Sequence, residues 1–141
     1  MVAPFSQSFA LEGRNFFSAG KASTEIKSIL KELGVDATII RRVAIAAYEA
    51  EMNVVMYATR AKLTFTMTPK IIIMEVDDEG PGIPDVNLAM QEGYSTATAE
   101  MREMGFGAGL GLPNIKKNSD EFTVESVVGK GTRLKITIYI N

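Results

Sequence analysis

The sequence contains no cysteine and no histidine. The absence of cysteine excludes disulfides, thiol catalysis and metal sites built on cysteine. The absence of histidine removes the commonest general base, the commonest zinc ligand and any phosphohistidine intermediate on this chain. Any acid–base chemistry must therefore fall to other side chains.

Long apolar runs and concentrated charge are also lacking. No apolar run approaches the roughly 20 residues that span a bilayer, and the first residues lack the charged-then-apolar pattern of a secretory signal. The net charge is -2, and lysine and arginine are scattered, so no basic stripe favours nucleic acid. We expect a cytoplasmic protein that binds neither nucleic acid nor membrane.

The 141 residues, with 46% hydrophobic content, suit one globular domain spanning 1–141. Strands are predicted at 5–11, 62–68, 71–76, 122–127 and 132–140, and helices at about 16–33, 37–58, 86–91 and 112–117. Gly34 is expected to end the first helix and Asp36 to cap the second. Because helices cluster rather than alternate with strands, the order favours an α+β fold. A two-layer sandwich is expected, with helices on one face of a mixed or antiparallel sheet.

Two polar side chains, Glu49 and Asn53, lie four residues apart at the edge of the apolar face of the second helix. Positions i and i+4 are neighbours on a helix, so the carboxylate and the amide can point at one spot. An ordinary polar pair at a helix boundary has this spacing too. The functional interpretation is a general base beside an amide oxygen for Mg²⁺, which prefers hard oxygen donors.

A second candidate site begins at Asp78, which is expected just past the strand at 71–76 and is followed by Gly80 and Gly82. A carboxylate there can accept a hydrogen bond from an exocyclic amine, and glycines let the backbone approach a flat ligand. The neighbouring acidic residues would repel phosphate, so the base or sugar end of a nucleotide fits better. A polar turn punctuated by glycine and proline is the structural alternative.

Four glycines at alternate positions, Gly105, Gly107, Gly109 and Gly111, stand directly before a predicted helix. Free backbone N–H groups that lead into a helix bind anions, so this ladder is the candidate phosphate site. It is not a Walker A loop, because no Gly-Lys-Ser/Thr follows, and no βαβ unit surrounds it. A flexible hinge is an equal alternative.

The segment Gly129-Lys130-Gly131 predicts a hairpin turn into the last strand. Thr132 follows this turn directly. Its hydroxyl is expected to reach a ligand on the open face of the sheet.

Together, these four elements resemble the Bergerat-fold ATPases, such as gyrase, Hsp90, MutL and the ATP-binding domains of histidine kinases. Glu49-x-x-x-Asn53 is similar to the N-box and Asp78-x-Gly80-x-Gly82 to the first glycine box. Gly107-x-Gly109-x-Gly111 is similar to the second glycine box, and Gly131-Thr132 to the final Gly-Thr element. The match spans nearly the whole chain.

The compact form resembles the bacterial anti-sigma-factor serine kinases more closely. The runs 78–85, 92–96, 107–113 and 120–122 look closest to the switch-kinase branch. That resemblance implies phosphorylation of a serine or threonine on a small STAS-domain protein.

The resemblance also implies a role for each candidate residue. Glu49 would be the general base, and Asn53 would hold Mg²⁺ between the phosphates of ATP. Asp78 would recognise the adenine amino group, and Thr132 would support the adenine pocket. The other nucleotide contacts would come from Gly80, Gly82, Ile83, Arg102, Gly105, Gly107, Ala108, Gly109, Leu110 and Gly111.

An ATP lid is expected at about 85–111. Residues 97–104 make this segment longer than the closest switch kinases would have it. Arg102 would either neutralise the γ-phosphate when the lid closes or remain an exposed lid arginine. Met101 and Met104 could instead pack the lid on a partner, because methionine suits adaptable surfaces.

Three functions stay open from the sequence. The first is a kinase for a STAS-domain protein, and the second is an anti-sigma factor that sequesters a sigma factor. The third is a nucleotide-gated adaptor with little transfer, which would activate a PP2C-type phosphatase. Glu49 argues against the adaptor, because a silent module needs no base there. A homodimer is compatible with each.

Overall fold

The computed structural model describes residues 5–91 and 111–140. These residues form a five-stranded sheet in the order β1-β2-β3-β5-β4, in which all neighbours are antiparallel. The α+β fold with an antiparallel sheet is therefore confirmed. The strands are β1 (Phe5–Glu12), β2 (Arg60–Met67), β3 (Ile71–Glu79), β4 (Glu121–Val127) and β5 (Gly131–Tyr139). The helices are α1 (Lys21–Glu32), α2 (Ala37–Tyr57), α3 (Val86–Ala89) and α4 (Gly111–Lys117).

The two faces of the sheet differ as the alternating sequence predicts. Inward side chains such as Phe65, Met74 and Ile136 are fully buried and form one core with the inner sides of α1, α2 and α4. The outer face carries alternating charges in register, with Arg133 opposite Asp77 and their side chains joined at 2.6 Å. Because only one face is apolar, the register of each strand is strongly specified.

The first helix starts later than the sequence suggests, at Lys21 rather than near Phe16. Gly20 precedes it with a φ of 96°, a left-handed conformation that suits glycine. Phe16 does not continue the helix, because it packs with Ala19 in the preceding loop against the second half of α2. The prediction was wrong here because an apolar residue that covers a neighbouring helix resembles one on a helical face.

The helix ends show which capping predictions hold. Asp36 stands at the N-cap of α2, as predicted, but its side chain makes no capping bond. In contrast, Asp85 caps α3 by accepting from the backbone N–H of Leu88 at 3.0 Å.

Among the residues described, no helix is long and apolar enough to cross a membrane.

A buried carboxylate replaces the missing cap of α1. Glu51 on α2 is only 2% exposed, and its carboxylate accepts three backbone N–H bonds. The donors are Gly20 at 3.1 Å, Ala22 at 3.2 Å and Ser23 at 3.0 Å. The first N–H groups of a helix have no partner within it, and the positive end of its dipole favours an anion. Glu51 therefore fixes the start of α1 to α2.

Candidate functional site

The side chains of Glu49 and Asn53 converge where α4 begins. A Cβ atom built on Gly111 would lie 3.8 Å from Glu49 Oε2 and 3.8 Å from Asn53 Oδ1. Two oxygen atoms on successive turns of α2 thus face one spot beside the last glycine of the ladder. Arg42, two turns before Glu49 on α2, forms an ion pair with Asp120 at 3.3 Å.

The environment of Glu49 suits proton transfer. Burial raises the pKa of its carboxyl group, and a hydrogen bond from the Asn114 side chain lowers that pKa in part. Asn114 lies on α4 and was not among the residues predicted from the sequence. A carboxylate with a raised pKa is a better base for a hydroxyl than an ordinary surface glutamate.

Asp78 lies within β3, which runs to Glu79, and not just past the strand as predicted. It has the same orientation as Val76 and Met74, toward the helices. Its Oδ1 accepts the backbone N–H of Thr132 at 2.9 Å. Burial raises the pKa of Asp78, the Thr132 bond lowers it, and the charge of Asp77 raises it.

Thr132 is 9% exposed and lies on the helix-facing side of β5, in phase with Leu134 and Ile136. The prediction that its hydroxyl reaches the open face was wrong, because side chains alternate along the strand. Its Oγ1 instead lies 2.9 Å from Ser126 Oγ. The side chains of Asp78 and Thr132 therefore face the helical layer.

Ser126 on β4 joins this group, although it was not among the residues predicted from the sequence. Its Oγ accepts the backbone N–H of Ile83 at 2.7 Å and contacts the Thr132 hydroxyl. It follows Phe122 and Val124 on the partly buried side of β4. A serine in phase with two apolar residues was the available signal, because a buried hydroxyl needs partners.

Glycines allow the loops around Asp78 to close. A Cβ on Gly131 would lie 2.0 Å from the Asp78 carbonyl oxygen, and one on Gly82 would lie 2.6 Å from that of Val127. Gly82 also has a φ of 75°. The backbone N–H of Gly80 donates a hydrogen bond to the backbone carbonyl oxygen of Lys130 at 3.0 Å. These glycines permit backbone to approach backbone, and the approach to a ligand predicted from the sequence stays a prediction.

Several predicted residues lie outside the described part of the chain. They are Arg102, Gly105, Gly107, Ala108, Gly109 and Leu110. Most of the predicted lid lies there too, and Gly111 is the part of the ladder that the structure describes.

The oxygen atoms of Glu49 and Asn53 fit a hard cation chemically. Within residues 5–91 and 111–140 there is no group of three or more acidic residues that could hold a metal alone. An amide oxygen together with ligand phosphates matches the way Mg²⁺ is commonly bound, through one or two protein oxygens plus phosphates.

The sheet, the helical layer and this pair of polar clusters define an ATPase domain of a known class. Residues 18–138 match the family described as the histidine kinase-like ATPase domain, and the chain belongs to that family. The resemblance to Bergerat-fold ATPases is thereby confirmed. A sensor histidine kinase MprB from mycobacteria shares the fold, with a TM-score of 0.54 and 15% identity over 96% of this chain and 97% of that one.

Relatives within the family are more specific. The serine/threonine-protein kinase RsbT of Bacillus subtilis is 32% identical over 77% of this chain and 79% of its own length. An anti-sigma F factor of Caldanaerobacter subterraneus is 35% identical over 84% of this chain and 83% of its own. Another anti-sigma F factor, from a Thermoanaerobacter species, is 33% identical over 89% of this chain and 91% of its own length. The resemblance to anti-sigma-factor serine/threonine kinases is confirmed by these relatives.

Proposed function

We propose that the protein is a Mg²⁺-ATP-dependent protein serine/threonine kinase. Its substrate would be a STAS-domain protein in a bacterial partner-switching circuit that controls a sigma factor. The observation that carries this proposal is the convergence of Glu49 Oε2 and Asn53 Oδ1 beside Gly111. It occurs in a chain 32% identical to a serine/threonine kinase.

Glu49 would accept the proton of the incoming serine or threonine hydroxyl. Its raised pKa, caused first by burial, favours this role. Kinases gain most of their rate from positioning and charge neutralisation, so the base has to be held in place as well as be basic.

Asn53 would supply its amide oxygen to Mg²⁺, which when bound neutralises phosphate charge. The glycine ladder from Gly105 to Gly111 would bind the triphosphate through backbone N–H groups, and Arg102 would add a positive charge to the lid. These roles of the lid residues rest on the sequence motifs. The proposal treats residues 1–141 as one domain with an ATP lid at about 85–111.

Replacing Asn53 with alanine should weaken the effect of Mg²⁺ on nucleotide binding. The expected loss in ATP affinity is about tenfold with Mg²⁺, the worth of one good polar contact. In EDTA, wild type and variant should bind ATP alike. Isothermal titration calorimetry with and without Mg²⁺ measures both, and an unaltered Mg²⁺ dependence would count against Asn53 as the ligand.

At the other end of the nucleotide, Asp78 would accept a hydrogen bond from the amino group of adenine. Its Oδ1 is engaged by Thr132, so Oδ2 is the atom for this contact. Ile83, Gly80 and Gly82 would border the base, with Thr132 and Ser126 fixing the wall behind it.

Replacing Asp78 with asparagine should lower ATP affinity by about 10- to 100-fold, because a hydrogen bond to a charged acceptor contributes roughly 1.5–3 kcal/mol. The affinity for GTP, which has a carbonyl in place of the amino group, should fall much less. The control is Asp77→Asn, whose carboxylate pairs with Arg133 on the outer face. Ordinary ATP affinity of Asp78→Asn in calorimetry would refute the adenine assignment.

The direct test is transfer of radiolabelled phosphate from ATP to purified STAS-domain proteins in the presence of Mg²⁺. Label on a serine or threonine of one of them is the expected result.

A second candidate function, an anti-sigma factor that sequesters a sigma factor, is favoured by the relatives of that name. Binding of a sigma factor in a pull-down, without transfer to any STAS protein, would replace the first candidate by the second.

Three further features complete the proposal. The protein would act in the cytoplasm, and it would pair with a second copy as a homodimer. When it is not phosphorylating its substrate, it would leave that protein and bind a PP2C-type phosphatase.

A further inference from the structure

Ser126 on β4 lies where three hydrogen bonds meet. Its Oγ accepts the backbone N–H of Ile83 at 2.7 Å and lies 2.9 Å from the hydroxyl oxygen of Thr132. Its proton can also reach the backbone carbonyl oxygen of Gly131, at 3.3 Å. One partly buried hydroxyl thus contacts the loop after β3 and the start of β5 at the same time. Both segments border the proposed position of the adenine base.

The loop after β3 is joined to the β4–β5 hairpin at three points. Two of them are bonds between backbone atoms, from Gly80 to Lys130 at 3.0 Å and from Gly129 to Pro81 at 2.8 Å. The third is the bond to the Ser126 hydroxyl. Within residues 5–91 and 111–140, this is the point at which a side chain holds the loop, so it is the one that a substitution can remove.

Ile83 is the residue of the loop whose position depends on this bond. Its side chain is partly buried and packs against the main core. The preceding Gly82 has a φ of 75°, and a Cβ atom on it would lie 2.6 Å from the carbonyl oxygen of Val127, so the loop lies directly on β4. A distance of 2.7 Å is at the short end of the range for an N–H donor. Without the hydroxyl, the partly buried N–H would lose its acceptor, and the loop would no longer be held there.

Ser126 also reaches Asp78 through one intermediate. Thr132 lies directly opposite Ser126 in the register of β4 and β5, and its backbone N–H donates to Asp78 Oδ1 at 2.9 Å. A serine hydroxyl has one proton and two lone pairs, so it can bond Ile83 and Thr132 together. The hydroxyl therefore connects the loop on one side of the proposed adenine site with the strand that holds Asp78 on the other.

A serine opposite a threonine does not by itself indicate such a role. Ser8 on β1, the other edge strand, lies opposite Thr64 with 3.4 Å between the two hydroxyl oxygens. That pair lies on the outer face of the sheet, away from the helical layer. The backbone N–H of Ile83 distinguishes Ser126, because it ties the hydroxyl to a separate segment of the chain.

We propose that Ser126 is a positioning residue for the adenine end of the nucleotide site. It holds Ile83 and Thr132 at a fixed separation, so the base enters a site that is already formed. Ordering a loop at the moment of binding costs affinity, and a preformed site avoids that cost. The inference rests on the proposed function and deepens it, since it assigns part of the ATP affinity to β4. Ser126 acts through its two neighbours and does not touch the nucleotide.

Replacing Ser126 with alanine should raise the Kd for ATP by about tenfold, the usual effect of losing one well-formed hydrogen bond. The KM for ATP should rise in parallel. The kcat at saturating ATP should stay within about twofold, because Glu49 and Asn53 keep their positions. Calorimetry measures the affinity, and transfer of labelled phosphate measures both kinetic constants. Unchanged ATP affinity, or a lower kcat at an unchanged KM, would overturn the proposal.

Two further variants separate the hydroxyl from the fold. Ser126→Thr keeps the hydroxyl and suits a strand, so its Kd for ATP should lie within about threefold of the wild-type value. Ser8→Ala is the matched control, which removes the serine of the other hydroxyl pair, and it should bind ATP like the wild type. Equal losses in Ser126→Ala and Ser126→Thr would show that the site needs the size of serine and not its hydroxyl. An equal loss in Ser8→Ala would show a general effect of weakening an edge strand, and either result would refute the role.

Hydrogen exchange in the ligand-free protein tests the contact without nucleotide or substrate. The backbone amide of Ile83 should exchange about tenfold faster in Ser126→Ala than in the wild type, and at the wild-type rate in Ser8→Ala. Unchanged exchange in Ser126→Ala would refute the contact. A wild-type protein that binds ATP but labels no STAS-domain protein would refute the kinase function, whereas calorimetry and exchange would still decide the role of Ser126.

Discussion

Glu49→Gln is expected to bind ATP like the wild type and to lose phosphate transfer by about 100-fold or more, the usual contribution of a general base. Glutamine has nearly the same shape, so the position beside Gly111 and Asn53 stays filled. What disappears is the acceptor for the hydroxyl proton. Single-turnover transfer to the STAS-domain substrate measures the loss, and calorimetry measures ATP binding.

The same variant should not be destabilised. Burial raises the pKa of Glu49 in the folded protein above its ordinary value of 4.5. Ionisation is therefore easier in the unfolded chain, so the charged form opposes folding at neutral pH. Glu49→Gln removes that cost, and urea unfolding at pH 7–8 should show equal or greater stability. The difference in stability between the variant and the wild type should vanish at a pH below the ordinary pKa.

If Glu49→Gln transferred phosphate at the wild-type rate, Glu49 could not be the general base.

Glu51→Gln, two residues further along α2, is expected to do the opposite to stability. The carboxylate accepts bonds from Gly20, Ala22 and Ser23, and both its oxygens are used. Glutamine keeps one oxygen and turns an NH₂ group toward N–H donors. With buried donors left unsatisfied, the free energy of unfolding should fall by about 2–4 kcal/mol. Urea denaturation monitored by circular dichroism measures this loss.

Comparison of the two glutamine variants makes the second prediction specific. Both replace a glutamate of α2 by the same amide, but Glu49 is half-buried, whereas Glu51 is 2% exposed and accepts three backbone hydrogen bonds. Stability should fall in Glu51→Gln alone. If Glu51→Gln unfolds at the wild-type urea concentration, the cap of α1 by this carboxylate contributes little and the inference from its hydrogen bonds is wrong.

Local patterns predicted most of the elements. Alternation in 62–68 and 71–76 identified the β2–β3 hairpin, because one face of the sheet is apolar and the other charged. Strand β3 ran three residues further than predicted, through Asp78 to Glu79. Those residues carry acidic side chains that are poor strand formers. The ladder with β2 and with β5 overrides that preference.

The site was predicted where it depends on spacing and missed where it depends on distant contacts. Glu49 and Asn53 are one helical turn apart, so their common direction follows from the sequence. Glu51, Asn114 and Ser126 have partners 28 to 65 residues away along the chain, in α1, in α2 and after β3. No local periodicity encodes which distant partner such a side chain will meet.

The arrangement of the sheet has a consequence for the whole polypeptide. Strands β1 to β3 come first along the chain and strands β4 and β5 come last, and the two groups of strands meet where β3 pairs with β5. Asp78 and Thr132 lie on opposite sides of that junction. Under the proposed adenine assignment, a nucleobase that contacts both residues can bind only after β3 and β5 have paired, so its binding would favour the paired state by mass action. ATP would then also serve as a reversible cross-link between these two groups of strands.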